Sequence, residues 1–191
     1  MRVIIGLGNP GIRYRNTRHN VGFEAIDKLA LAHNIKLKPS RRFQAHVGEG
    51  EINYQEVILV KPMTYMNVSG QAVQAILNFY KLPPSAIVVI FDDVSLPVGD
   101  IRIRENGSAG GQKGMTDIIN RLATKEFPRV RIGVGQKPEG YSLSKYVLGR
   151  FPKKEKEAIT QGITNARVAV ELIIKSGAAE AMNEFNKKVK V

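Results

Sequence analysis

An α/β fold is the architecture this sequence predicts: a twisted, mixed β-sheet surrounded by helices, in a single domain over residues 1–191. Three observations carry it. Segments of strand character alternate with segments of helical period from one end to the other. Residues 86–91 form a continuous run rich in Val and Ile, the mark of a central strand covered on both faces. No linker-like, low-complexity or repeated stretch interrupts the alternation. A chain of 191 residues buries an adequate core without staples, and none are on offer, because Cys is absent. That absence removes disulfides, thiolate zinc sites and cysteine nucleophiles together.

Residues 2–7 read as the first strand, a short apolar run breaking into glycines and a proline. Residues 21–34 place Val21, Ala25, Ile26 and Leu29 on one helical face. Phe43, Ala45 and Val47 alternate with Gln44, His46 and Gly48, which predicts a half-buried strand hairpinned through residues 49–53 to a partner at 57–60. Residues 67–80 present Val73, Ile76, Leu77 and Tyr80 on one face until Leu82-Pro83-Pro84 stops the helix. After the strand that ends in Asp92-Asp93, short strands are expected at 100–104 and 129–134. Between them lie the glycine-rich stretch 107–114 and a helix over 116–122. A helix over 153–176 closes at Gly177, and a last one spans 178–188.

Lys and Arg number 29 against 17 Asp and Glu, for a net charge of +12. Such an excess on a small protein points to a polyanion, nucleic acid before anionic lipid. Aromatic residues make up only 7%, with no stacking motif of the kind found on RNA-binding sheets, so backbone contact is the expected mode. No stretch is long and apolar enough to span a membrane. Strand residues follow Met1 almost at once, leaving no room for a signal or transit peptide, so the expected compartment is the cytoplasm.

Gly6, Gly8 and Gly11 satisfy G-x-G-x-x-G, yet Pro10 interrupts and residues 13–18 have no apolar helical period. A dinucleotide loop needs that helix, so nicotinamide binding is set aside. Beyond the loop stands His19, at the entry to the first long helix. Ligands of open α/β sheets bind beyond the carboxyl ends of the strands, which makes His19 a candidate general base. Asp92 ends the most buried strand on the same side. A carboxylate on one ring nitrogen would fix the tautomer and leave the other nitrogen basic. His33 and His46 read as structural. The aspartate pair can bind a divalent cation, but no further carboxylates complete a shell, and no metal or cofactor is expected. With no G-x-S-x-G or H-E-x-x-H motif, water is the expected nucleophile. Asn67 fits a helix N-cap, and residues 107–114 fit a phosphate cradle, a lid or a flexible connector.

Together these residues resemble the bacterial peptidyl-tRNA hydrolase family over nearly the whole chain. The blocks fall in family order: Gly6-Leu7-Gly8-Asn9-Pro10-Gly11, Tyr14, Thr17-Arg18-His19-Asn20, Lys61-Pro62, Tyr65-Met66-Asn67-Val68-Ser69-Gly70, Asp92-Asp93, Gly107-Ser108-Ala109-Gly110-Gly111, and Tyr146-Val147-Leu148-Gly149. The resemblance implies a cytoplasmic, monomeric enzyme that cleaves the ester joining a peptide to the 3′ ribose of tRNA. By analogy His19 is the base on water, Asp92 orients it, and Asn9, Tyr14, Tyr65 and Asn67 hold the peptidyl and terminal-adenosine end. Asn9 is also where the family favours blocked over free aminoacyl ends. Gln112-Lys113-Gly114 stands where the family usually shows His-Asn-Gly. Lys113 thus replaces an amide by a cation, which grips phosphate but accepts no hydrogen bond. Asp is also common where Ser95 stands. The resemblance leaves one other class of function, an RNA-binding relative without hydrolysis, and the missing transit peptide argues against it.

Overall fold

The composition of β1 (Arg2–Gly6) follows from its place in the middle of the sheet. The computed structural model describes residues 1–186. β1 runs parallel to β4 (Gln55–Pro62) on one side and to β5 (Ile87–Asp93) on the other, which buries both its faces. β5 pairs in parallel with β7 (Arg129–Gly133). The edges are antiparallel: β2 (Lys38–Ser40) and β3 (Ala45–Ile52) beside β4, and β6 (Ile101–Arg104) beside β7. The seven strands lie in the order β2, β3, β4, β1, β5, β7, β6.

The two-residue period of the strands divides the core into two layers. Ile4, Leu59, Val88 and Ile90 face α1 (Val21–Ala32), α5 (Lys156–Ser176) and α6 (Ala178–Phe185). Val3, Ile5, Val89 and Phe91 face α2 (Ser69–Tyr80) and α3 (Lys113–Leu122). Each buried Val, Ile or Leu contributes about 1.5–3 kcal/mol, so the parallel centre is the most strongly held part of the molecule. At the edge, the Asn186 side chain brackets Ile103, accepting from its N–H and donating to its carbonyl, each at 2.9 Å. It satisfies groups of β6 that have no neighbouring strand.

Several expectations shift. The hairpin turn is only Asn53-Tyr54, both with positive φ (51° and 60°), so β3 runs on through residues 49–52. This primed geometry matches strand twist, and Asn-Tyr hides it because Gly is the usual second residue. Phe43 stands outside the strand and packs into the second layer. β2 carries Pro39, and its three residues give no readable alternation. A short α4 (Leu143–Val147) was not anticipated either. The helix expected from 116 begins at Lys113, capped by Gln112, whose side-chain oxygen accepts from Met115 N–H at 2.8 Å. The last helix is seen to Phe185, and the expected residues 187–188 lie outside the described residues. Among the described residues no helix is long and apolar enough to cross a membrane.

Glu24, in the first turn of α1, has a buried Oε1 with no hydrogen-bond partner. Burial, and then the Asp27 carboxylate, push its pKa up to about 7 against the pull of Lys28 and Lys61. Because the folded value lies above the ordinary 4.5, the native state binds more protons than the unfolded chain between about pH 4.5 and 7. Stability therefore falls as pH rises through that window, by roughly 1–3 kcal/mol after allowance for partial exposure. Glu24→Gln is expected to gain about 1–2 kcal/mol in urea unfolding at pH 8 and nothing at pH 4. Equal stability of the two proteins at pH 8 would refute this account.

Candidate active site

Glycine contacts at the carboxyl end of β1 position the site. A Cβ on Gly6 would lie 2.1 Å from the Gly22 carbonyl oxygen, and one on Gly22 would lie 2.5 Å from both Leu7 N and Ile90 O. The first turn of α1 thus rests directly on the ends of β1 and β5, a contact open only to glycine. The first glycine of the G-x-G-x-x-G string serves this contact between elements. The 3-10 turn Arg18–Asn20, which leads into α1, is carried over the end of β5 as a result.

In that turn His19 Nδ1 lies 2.8 Å from Asp92 Oδ2, with the two side chains only 12% and 3% exposed. An ionised carboxylate can only accept, so Nδ1 carries the hydrogen and the Nε2 lone pair is free. The other Asp92 oxygen, Oδ1, accepts from Gln112 Nε2 at 3.1 Å. Arg18 is buried beneath the turn. Its guanidinium lies 4.5 Å from the ring centres of both Tyr146 and Phe151, donates to the Val134 carbonyl and pairs with Glu155 at 2.8 Å. Asp93 turns away from its neighbour. Burial works against its charge, but hydrogen bonds from the Ser95 hydroxyl and amide and from Arg131 outweigh it and hold its carboxyl below the ordinary value. The two aspartates do not converge, and among the described residues no group of three His, Cys, Asp or Glu side chains is placed to hold a metal ion.

Asn9 is oriented by amide pairing. Asn20 brackets its backbone, accepting from Asn9 N–H at 2.9 Å and donating to the Asn9 carbonyl at 3.0 Å. Asn9 Oδ1 accepts from Met66 N–H at 2.8 Å, leaving its Nδ2 as the group to offer a ligand. An open cleft of about 850 Å³ lies here, lined among others by Asn9, His19, Tyr65, Asn67, Asp92 and Lys113. Tyr14 stands outside this lining, with Arg13 stacked 4.6 Å from its ring centre and donating to its hydroxyl. Asn67 does not act as the cap of α2: that position is Val68, and the Asn67 side chain is exposed to the cleft. Lys113, the first residue of α3, is likewise exposed at the cleft edge.

The glycine-rich stretch has one anchored end. The Arg129 guanidinium is buried and donates to the carbonyls of Gly107 at 2.5 Å, Ser108 at 3.2 Å and Lys125 at 2.6 Å. Gly110 and Gly111 take positive φ (59° and 83°) with open space where a side chain would be. His33 pairs with Glu171 at 2.7 Å and His46 sits in β3 opposite Lys61, so neither enters the cleft. Sequence reasoning did not assign Gln112, Asn20 or Arg129 to the site. Gln112 is visible in the sequence only as a departure from a pattern, and the other two act on backbone groups that no sequence pattern marks.

A family model described as peptidyl-tRNA hydrolase matches residues 3–191. The chain is 52% identical over 186 residues to a peptidyl-tRNA hydrolase of Alkaliphilus oremlandii, covering 97% of this chain and 100% of the relative. It is 50% identical over 188 residues to that of Lachnoclostridium phytofermentans, covering 98% of each. The crystal structure of peptidyl-tRNA hydrolase from Acinetobacter baumannii superposes with a TM-score of 0.92 at 38% identity, over 97% of this chain and 94% of that one.

Proposed function

The chain belongs to the peptidyl-tRNA hydrolase family and hydrolyses peptidyl-tRNA, and on that premise we propose that His19 is the general base of the reaction. The observation that carries the proposal is the 2.8 Å His19–Asp92 hydrogen bond at the wall of the cleft. His19 Nε2 takes a proton from water as the water oxygen attacks the ester carbonyl carbon. The tetrahedral adduct then expels the ribose 3′ oxygen, which leaves with the proton held on His19, giving a free carboxylic acid and tRNA. Such proton transfer contributes typically ~100- to 10,000-fold.

Asn9 Nδ2 donates to a carbonyl oxygen of the peptidyl moiety, while Tyr65 and Asn67 hold the terminal adenosine at the rim. Tyr14, outside the cleft lining, enters this reading only through contacts made by the bound tRNA. A blocked α-amine presents a neutral amide, whereas a free one brings a cation that must be desolvated beside an amide donor. The enzyme therefore prefers blocked substrates. It works in the cytoplasm, where translation supplies them, and as a monomer. Purified protein is expected to release tRNA from N-acetylaminoacyl-tRNA much faster than from aminoacyl-tRNA. Equal rates on the two would remove the selectivity assigned to Asn9.

Lys113 contacts a tRNA phosphate. Lys113→Asn is expected to lower tRNA affinity slightly and to reduce the slope of log affinity against log salt by roughly 0.7–0.9, with turnover within about tenfold. An unchanged salt slope would place the ammonium group in solvent.

A further inference from the structure

We propose that Gln112 is a positioning residue, whose amide holds the Asp92 carboxylate in register with His19 and ties the glycine-rich stretch to that pair. The inference rests on the reading of His19 as the base and goes beyond it. Gln112 is only 8% exposed, and both ends of its side chain are engaged. Oε1 accepts from Met115 N–H at 2.8 Å, which leaves no freedom in which way the amide faces. Nε2 therefore points to Asp92 Oδ1 at 3.1 Å, with Met66 Sδ also at 3.1 Å.

The Asp92 carboxylate is thus held at both oxygens, by an amide N–H on one and the imidazole N–H on the other. Losing the amide donor would free the carboxylate to rotate and leave one buried oxygen unsatisfied. Gly114 makes the arrangement possible, since a Cβ there would lie 2.6 Å from Met66 Sδ and 3.1 Å from Gln112 Oε1. Where the family pattern has an imidazole, an amide donates at every pH and adds no titrating group beside the dyad. The charged groups around the same cleft are Asp93, Arg104, Lys113, Arg129 and Arg131; Asp93 and Arg131 are paired with each other.

Two substitutions separate positioning from capping. Gln112→Ala removes both the cap and the donor, whereas Gln112→Glu keeps the acceptor for Met115 N–H and puts a carboxylate oxygen where the donor stood. On N-acetylaminoacyl-tRNA both are expected to lower kcat about tenfold or more, with KM within about twofold. In the Glu variant the added carboxylate also moves the acidic limb of the kcat profile to higher pH, by about one unit. Wild-type kcat and pH profile in Gln112→Glu, or losses confined to KM, would overturn the proposal. An inactive His19→Ala beside normal Gln112 variants would sink this inference alone. A fully active His19→Ala would sink the reading beneath it.

Discussion

His19→Ala is expected to lose hydrolysis by about 100- to 10,000-fold while keeping its affinity for tRNA within a few fold. The tRNA surface and the Asn9 amide are untouched by the change, so the loss belongs in kcat. Asp92→Asn is expected to fall nearly as far, for a reason specific to this geometry. Gln112 Nε2 still requires an acceptor, so the new amide turns its oxygen to Gln112 and its NH2 toward His19 Nδ1. Nδ1 must then accept, the ring hydrogen moves to Nε2, and the nitrogen facing the cleft no longer takes a proton. Initial rates of tRNA release from N-acetylaminoacyl-tRNA, with circular dichroism as a control for folding, decide the matter. Near wild-type turnover by folded His19→Ala removes it as the base.

Arg129→Met is expected to be the most destabilising of these changes. Arg129 is 1% exposed, and burial pulls its pKa down to about 10, yet among the described residues no carboxylate is hydrogen-bonded to it. Its charge is dispersed over the carbonyls of Gly107, Ser108, Lys125 and Phe127 and over the Phe127 ring at 4.6 Å. A hydrogen bond to a charged group contributes about 1.5–3 kcal/mol, and the change loses several at once and leaves the carbonyl of buried Phe127 unpaired. The expected cost is about 3–5 kcal/mol, or roughly 6–20 °C in melting temperature. The stretch 107–111 loosens as well, so KM rises in whatever fraction stays folded. A urea midpoint equal to wild type would show that the carbonyls find other partners.

The central layers of this fold are legible in sequence because the forces there are local in pattern. The Val and Ile run of β5 has one structural solution, and the period of α1 names its buried face. His19 and Asp92 are legible for a related reason: both sit where regular elements stop, and the parallel sheet brings those stops to one edge. The hairpin is expected but its exact turn at Asn53-Tyr54, like β2 and α4, escapes notice because these conformations are imposed by neighbours rather than by their own residues. Gln112, Asn20 and Arg129 escape for a different reason. Asn20 and Arg129 bond backbone atoms, which any residue supplies, and Gln112 joins a backbone amide to a carboxylate 20 residues away. Tyr14 shows the converse, since a residue can fit a pattern and still stand outside the cleft lining.

The clasp on Arg18 sets a timetable for the enzyme's own birth. His19 must wait 73 residues for Asp92, and Arg18 must wait 116 for the Val134 carbonyl, with Phe151 and Glu155 later still. At ~5–20 residues per second, a ribosome delivers Val134 about 6–23 s after Arg18 has been joined to the chain. Late in that interval Arg18 has left the peptidyl centre, β1 and α1 have their neighbours in β4 and β5, and the guanidinium still lacks its carbonyl, ring and carboxylate partners. A growing copy of this protein is itself a peptide esterified to tRNA, the bond the finished enzyme cuts. The turn that carries His19 is completed only by residues made late, when most of the chain has already been joined.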